Sequence, residues 1–290
     1  MTRAFTLRSY AKLNLALKVK GRRPDGYHEL STVFERIDLH DDISFSLPAG
    51  NGFVIRCADR RVPRDGRNLI WKAAALLAAG EGVPMTAEVT LEKRIPVAAG
   101  LAGGSSNAAT ALVGLNRLWK LRLTRAKLIA YANKLGSDIA FFLHDVPFAV
   151  GTGRGEIIRP LASKARLWHF LVVPSAPLLT KDVYGAFALA GRDLTRPDGD
   201  VNIMLRSLRK NDPVAVGGCL FNDLEAPILA LKPGLGRLKA QVERQGTCGV
   251  SFSGSGPSVF AVTASRVEAE RLRKVFSGKY AQSYVVRTYL

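Results

Sequence analysis

Carboxylates are in short supply in this chain. Its 290 residues carry 24 Asp and Glu against 42 Lys and Arg, a formal charge of +18, which favours acidic ligands and partners: nucleic acid, a membrane surface or phosphorylated metabolites. Long basic blocks are missing too. Arg22, Arg23, Arg60, Arg61, Arg64, Arg67, Arg122, Arg125, Arg206, Arg209, Lys210, Arg271, Arg273 and Lys274 are dispersed, the pattern of a solvated basic surface rather than a dedicated nucleic-acid arm. Cysteine is limited to Cys57, Cys219 and Cys248, odd in number and far apart. That excludes a disulfide framework and zinc or redox spacings, and fits reduced thiols in the cytosol. Apolar runs long enough to span a membrane are absent, and the opening MTRAFTLRSYAKLNLALKVK breaks its apolar residues with charge. The expectation is a cytoplasmic protein without signal peptide or membrane span. Internal repeats and low-complexity tracts are lacking as well.

What is present is ordinary globular material: 47% hydrophobic and 23% charged residues, enough to bury a core. The length exceeds that of a single core, so two domains are expected, divided as residues 1–158 and 159–290. Alternation predicts strands at Phe5–Leu7 and Leu13–Val19, with a break at Ser9 to Lys12, then at Ile43–Leu47, Phe53–Cys57 and Ala87–Leu91. Asn68 is a plausible N-cap for LIWKAAALLAAG, with Gly80 as its stop. Ala108, Leu112, Leu115 and Trp119 line one helix face, and a second helix runs from Thr124 to a stop at Gly136. Later come a strand at WHFLVV, helical material from Thr180 to about Ala240, two strands around GVSFSGSGPSVFAV, a helix from Arg266 and a last strand at SYVVRTYL. Strands flanking a helical block predict an α+β second domain.

Several familiar motifs fail on inspection. GRRPDGYH at residues 21–28 has the glycine spacing of a P-loop but puts Tyr27 where lysine is required. GTGRGE at 151–156 lacks the third glycine of a dinucleotide loop and reads as a β-turn. Asp198, Asp200 and Asn202 imitate a calcium loop, but Ile203 replaces the glycine and Arg209 the glutamate. Gly249, Ser251 and Ser253 miss the nucleophile elbow at its last glycine.

One stretch survives. PVAAGLAGGSSNAATAL, from Pro96 to Leu112, discards nearly every bulky side chain before a helix. Gly100, Gly103, Gly104, Ser105 and Ser106 there offer backbone amides and hydroxyls where the helix dipole favours an anion, as a phosphate cradle does. The flanking small residues Ala98, Ala99, Ala102, Ala108 and Ala109 clear its approach. Gly254 and Gly256 mark a strand reversal that suits a hairpin and can also bring backbone close to a ligand. Lys12 and Asn14 form a polar pair on one face of an otherwise apolar strand. Asp138, after a helix stop and before an apolar run, reads either as an N-cap or as a carboxylate for phosphoryl transfer.

In order and spacing, SYAKLNLAL, PVAAGLAGGSSNAA and SGSGPSVFA resemble the three motifs of the GHMP kinase superfamily. AKLNL at 11–15, DGYHEL at 25–30, GGSSNAA at 103–109 and GSDI at 136–139 are most similar to the branch acting on a cytidyl-diphosphate sugar alcohol of the non-mevalonate isoprenoid pathway. The resemblance runs nearly end to end, and DGYHEL is its most specific element. It implies an α+β, two-domain fold: a ribosomal-S5-like βα domain and a ferredoxin-like α/β plait with a cleft between them. It implies a small-molecule kinase using ATP and Mg2+ to phosphorylate the 2-hydroxyl of that acceptor.

By the same resemblance, Asp138 takes or orients the hydroxyl proton and Lys12 polarises the hydroxyl. Lys93, Pro96, Gly100, Leu101, Ala102, Gly103, Gly104, Ser105, Ser106 and Asn107 surround the nucleotide, with Ser105 or Ser106 helping to hold magnesium. Asn14, Tyr27, His28, Thr180, Tyr184, Gly254, Ser255 and Gly256 face the acceptor, with Tyr27, His28 and Tyr184 around the cytosine. Alanines at 98, 99 and 102 replace glycines seen in some relatives, and Ser255 stands where threonine is common. A protein-borne acidic magnesium ligand has no evident position. The expected partners are these small molecules, without nucleic acid or membrane, in a monomer or weak homodimer. Two other readings are a mevalonate or homoserine kinase, whose substrates carry no base for DGYHEL to stack on, and a basic RNA-binding protein, which needs the clustered basic and aromatic residues this chain disperses.

Overall fold

Alternation is clear at the start of the chain and then stops, because the strand's second face becomes covered. The computed structural model, which describes residues 4–48, 50, 52–189, 199–280 and 282–289, has one strand, β1 (Phe5–Arg22), where a break at Ser9 to Lys12 is expected from the sequence. Ser9, Lys12 and Asn14 are all buried there. A strand buried on both faces loses its period of two, and each of these polar side chains finds a hydrogen-bond partner inside. β2 (His28–Ser46) is equally long, and only its end, from Asp41, keeps the alternation.

Two compact units divide the chain: residues 1–11, 39–97 and 102–145 form the first, and residues 12–38, 98–101 and 146–290 the second. In the first unit the end of β2 pairs antiparallel with the strand Ala87–Glu92, Asp42 opposite Glu92, and that strand pairs parallel with Phe53–Cys57. The elements that follow β2 are β3 (Phe53–Cys57), α1 (Leu69–Glu81), β4 (Ala87–Glu92), α2 (Gly103–Leu118), α3 (Arg125–Leu135) and α4 (Ile139–Leu143). Ile43, Phe45, Leu77, Val89, Leu112 and Leu115 belong to its core. α2 lies so close to β2 that a Cβ at Gly114 would overlap the Phe45 ring. Asn68 caps α1 by accepting from Ile70 N at 2.9 Å. Gly80, expected as the stop of α1, lies inside it, and the helix ends on Gly82 at φ 65°. Gly80 is instead the space taken by the Tyr131 ring, whose hydroxyl donates to Glu81. α3 begins on its Thr124 cap and ends at Gly136, as expected.

In the second unit the start of β2 pairs with β5 (Phe148–Gly153), which turns back into β6 (Ile157–Pro160), so GTGRGE is the reversal of a hairpin. Then come β7 (Trp168–Val172), α5 (Thr180–Leu189), α6 (Gly199–Lys210), α7 (Pro213–Gly218), β8 (Phe221–Asn222), α8 (Glu225–Leu231), α9 (Gly234–Glu243), β9 (Gly249–Phe252), β10 (Val259–Thr263), α10 (Arg266–Ser277) and β11 (Ser283–Arg287). Asp198, of the calcium-like run, lies outside the described residues. The order β11-β7-β10-β9 makes an antiparallel four-stranded sheet, with Phe170, Val172, Phe252 and Phe276 in a core shared with Ile228 of α8. β8, not foreseen from the sequence, pairs parallel with β1 at Ala16 and Leu17. No helix among the described residues is long and apolar enough to cross a membrane.

Candidate active site

The amino end of α2 differs from those of other helices in the chain. α1, α3 and α10 are capped by Asn68, Thr124 and Ser265, whereas α2 follows Ala102, at φ 53°, with no side-chain cap. Ser106 N closes the first turn on the Ala102 carbonyl at 2.9 Å, leaving the amides of Gly103, Gly104 and Ser105 at the positive end of the helix dipole. Upstream, alternate residues Ala98, Gly100 and Ala102 all hold positive φ. This conformation is costly for alanine, and left-handed residues at alternate positions are a feature of anion-binding nests.

Around this helix end the first unit buries a polar network. Asp41, wholly buried, accepts from Lys93 Nζ at 2.7 Å, Arg94 N at 2.7 Å, Ile95 N at 2.8 Å and Asn107 Nδ2 at 2.8 Å. Asn107 Nδ2 also reaches Ser9 Oγ at 2.9 Å, and Ser9 donates to Ser106 Oγ at 2.8 Å. Burial pushes the Lys93 ammonium below the usual lysine range, with the Asp41 carboxylate opposing the shift. A Cβ at Gly103 would come within 2.9 Å of Ile95 Cγ2 and 3.1 Å of Lys93 Nζ, while Gly104 has ordinary room. Pro96 is buried beside Ile95 in sequence. Asp138 stands at the N-cap position of α4, which packs on α2, but its side chain makes no capping bond. Its reading as a simple N-cap therefore lacks support. Ser105 is half-buried, whereas Ser106 is buried. Among the described residues no group of three or more His, Cys, Asp or Glu side chains is placed to hold a metal ion.

The second unit gathers the other residues. Lys12 donates through Nζ to Asn14 Oδ1 at 2.5 Å and lies 5.4 Å from the Phe34 ring centre, while its backbone amide reaches the Leu101 carbonyl at 3.1 Å. Asn14 Nδ2 donates to Thr32 Oγ1 at 2.8 Å, and Thr32 Oγ1 donates in turn to the Ala16 carbonyl at 2.7 Å. The glycine turn reaches the same pair: a Cβ at Gly254 would stand 3.3 Å from Asn14 Oδ1 and 3.5 Å from Lys12 Nζ. Gly254 and Gly256 hold φ of 56° and 70°. A Cβ at Gly100 would overlap the Ser253 carbonyl, and Ser253 and Ser258 donate to the carbonyls of Gly100 and Ala99 at 3.0 and 2.5 Å. Thr180 and Ser255 share a hydroxyl hydrogen bond of 2.9 Å. His28 packs on Tyr184 at 5.2 Å between ring centres and meets Phe187 edge-on at 5.9 Å. Burial, with Arg22 nearby, lowers the His28 pKa. Tyr27 is 55% exposed, its ring 4.8 Å from the Arg154 guanidinium.

Sequence reading passes over Asp41, Asn222, Phe187 and Arg154. Asp41 did leave a signal, since it shares the inward face of β2 with Ile43 and Phe45, where a charge needs a partner. Asn222 left none. It accepts locally from Leu224 N at 2.9 Å, but it donates to the carbonyls of Phe252 at 3.0 Å and Gly254 at 2.8 Å, bonds that depend on tertiary structure.

The family models for the N-terminal and C-terminal domains of GHMP kinases match residues 68–150 and 204–282. The chain belongs to the GHMP kinase family. This GHMP kinase is 41% identical over 277 residues to a 4-diphosphocytidyl-2-C-methyl-D-erythritol kinase of Exiguobacterium sibiricum, covering 96% of this chain and 95% of that protein. A protein of the same description from Shouchella clausii is 38% identical over 283 residues, covering 98% of this chain and 94% of its own length. A crystal structure of 4-(cytidine 5'-diphospho)-2C-methyl-D-erythritol kinase superposes with a TM-score of 0.80 at 30% identity, covering 98% of each chain. The α+β architecture of the GHMP kinase fold is thus the one present, and membership of a kinase family carries the use of ATP.

Proposed function

We propose that this GHMP kinase transfers the γ-phosphoryl group of ATP to the 2-hydroxyl of 4-diphosphocytidyl-2-C-methyl-D-erythritol, in the non-mevalonate route to isoprenoid precursors. The observation that carries the reading is the amino end of α2, uncapped and preceded by alternate left-handed residues, which suits a triphosphate. The acceptor oxygen attacks the γ-phosphorus, the bond to the bridging oxygen of ADP breaks, and the hydroxyl proton passes to the Asp138 carboxylate. Lys12 polarises the hydroxyl and offsets the charge of the transition state. Gly100, Ala102, Gly103, Gly104 and Ser105 line the nucleotide through their backbone, and Lys93, Pro96, Leu101, Ser106 and Asn107 shape that lining from behind. Magnesium bound with ATP would supply charge neutralisation on the phosphates. Ser105 is the better hydroxyl to reach it, because Ser106 already accepts from Ser9.

Asn14 and Thr180 hold acceptor hydroxyls and phosphates, with Gly254, Ser255 and Gly256 closing on them through backbone. Tyr27 and His28 take the cytosine, with Tyr184 behind His28. Neutral imidazole, favoured by the lowered pKa of His28, offers one donor and one acceptor, matching a pyrimidine edge. The identity of nearly whole-length relatives supports this acceptor over mevalonate or homoserine. The reading places the protein in the cytoplasm, with the nucleotide unit at residues 1–158.

The test is ADP release from magnesium ATP with the cytidyl-diphosphate acceptor, mevalonate and homoserine in parallel. Turnover is expected with the first alone, and Lys12→Ala and Asp138→Asn should each lower kcat by roughly a hundredfold or more. Substantial turnover in Asp138→Asn would remove the proton-transfer role, and turnover confined to mevalonate would remove the cytosine site.

A further inference from the structure

The buried carboxylate of Asp41 joins two pieces of chain to β2. Its Oδ1 takes the amides of Arg94 and Ile95, fixing the segment that enters the glycine stretch. Its Oδ2 takes Lys93 Nζ and Asn107 Nδ2, the second of which lies in the first turns of α2. Asn107 carries the link on to Ser9 of β1, and Ser9 to Ser106. Since α2 has no side-chain cap, this network supplies the side-chain hydrogen bonds at the beginning of the helix.

The chemistry requires a carboxylate. Four donors converge on two oxygens, which an ionised carboxyl can accept and an amide cannot, since asparagine would turn its own N–H groups against them. Lys93 is committed as well: it bonds Asp41 and the Ile95 carbonyl, at 2.7 and 2.6 Å, and its side chain is 6% exposed. An ammonium so placed is stranded when its partner is lost. Asp41 has no exposed surface and therefore cannot touch a ligand itself.

We propose that Asp41 is a positioning residue for nucleotide binding, acting through Lys93 and Asn107 to hold the first turn of α2 where its free amides meet phosphate. The proposal rests on the kinase reading above.

The test compares wild type, Asp41→Asn, Lys93→Met and the double variant by calorimetric Kd for ADP and by KM for ATP and for the cytidyl-diphosphate acceptor, with melting curves confirming folding. Asp41→Asn should raise the ADP Kd and the KM for ATP about tenfold or more, as expected for a misplaced binding element, and leave the acceptor KM within about twofold. The effect should be smaller in the Lys93→Met background, where no ammonium is stranded. If Asp41→Asn does not fold, the double variant measured against Lys93→Met carries the comparison and should still bind ADP more weakly, through Asn107. An ADP Kd unchanged in folded protein, equal rises in both KM values, or strictly additive effects would overturn the proposal. Wild type that binds ADP but leaves the cytidyl acceptor untouched sinks the substrate assignment alone, and the Kd comparison still decides on Asp41. Wild type that does not bind ADP sinks both.

Discussion

In the first unit, polar groups converge: a lysine, an asparagine and two backbone amides end on one carboxylate, Asp41. In the second unit they run in series, from Lys12 to Asn14, from Asn14 to Thr32, and from Thr32 to the Ala16 carbonyl. Both are buried, and both surround residues that sequence reading selected. The difference lies in what a single loss does. A convergent centre fails at once, because every donor loses the same acceptor and one of them is charged. A series fails one link at a time, with each remaining partner free to rotate toward a substitute or a water.

The sharpest break in that comparison is Asp41→Ala. It leaves the Lys93 ammonium buried without its carboxylate, and the expected loss is about 3–5 kcal/mol of unfolding free energy, read from urea denaturation. In the series, Thr32→Val keeps the shape but removes the hydroxyl between Asn14 and Ala16, and a loss of about 1–3 kcal/mol is expected. Should the two variants cost the same, the distinction between convergent and serial networks fails.

A pH titration sharpens the second unit further. Burial lowers the His28 pKa, so the unfolded chain takes up its proton first, near the ordinary imidazole value. The His28 contribution to stability is therefore whole above that value and declines as pH falls toward the lowered one. Acceptor KM should rise over the same acidic range, approaching about tenfold per pH unit below the lowered pKa, and His28→Gln should flatten the profile. A profile for His28→Gln matching wild type would assign the titration elsewhere.

The smallest effect is expected at Ala102. Glycine there relieves a left-handed alanine at φ 53°, worth about 1–2 kcal/mol, but adds unfolded-state freedom of about 0.4–1 kcal/mol. Ala102→Gly should thus raise the melting temperature slightly, whereas Ala102→Val should lower it and weaken ADP binding.

What the sequence disclosed and what it withheld follow from the reach of each interaction. The helix after the glycine stretch, the Asn68 and Thr124 caps and the Gly254 reversal are local, and they stand where expected. The continuity of β1 was hidden because its second face is covered by distant chain, so Ser9 and Lys12 look like an interruption. Gly80 looked like a helix stop because its actual use, room for Tyr131, involves a residue some fifty positions away. The Lys12 and Asn14 pairing was legible from the period of a strand, and the structure places them in direct contact. β8 and Asn222 were invisible, being two strand residues whose strand pairing and donated hydrogen bonds close through tertiary structure.

The interlock of Gly100 with the turn at Ser253 to Gly256 bears on recombination between homologous genes. Most of the fit is backbone against backbone, atoms that every parent encodes alike. A crossover placed between the two segments should therefore leave this interlock intact, provided that glycine is kept at 100 and serine at 253 and 258.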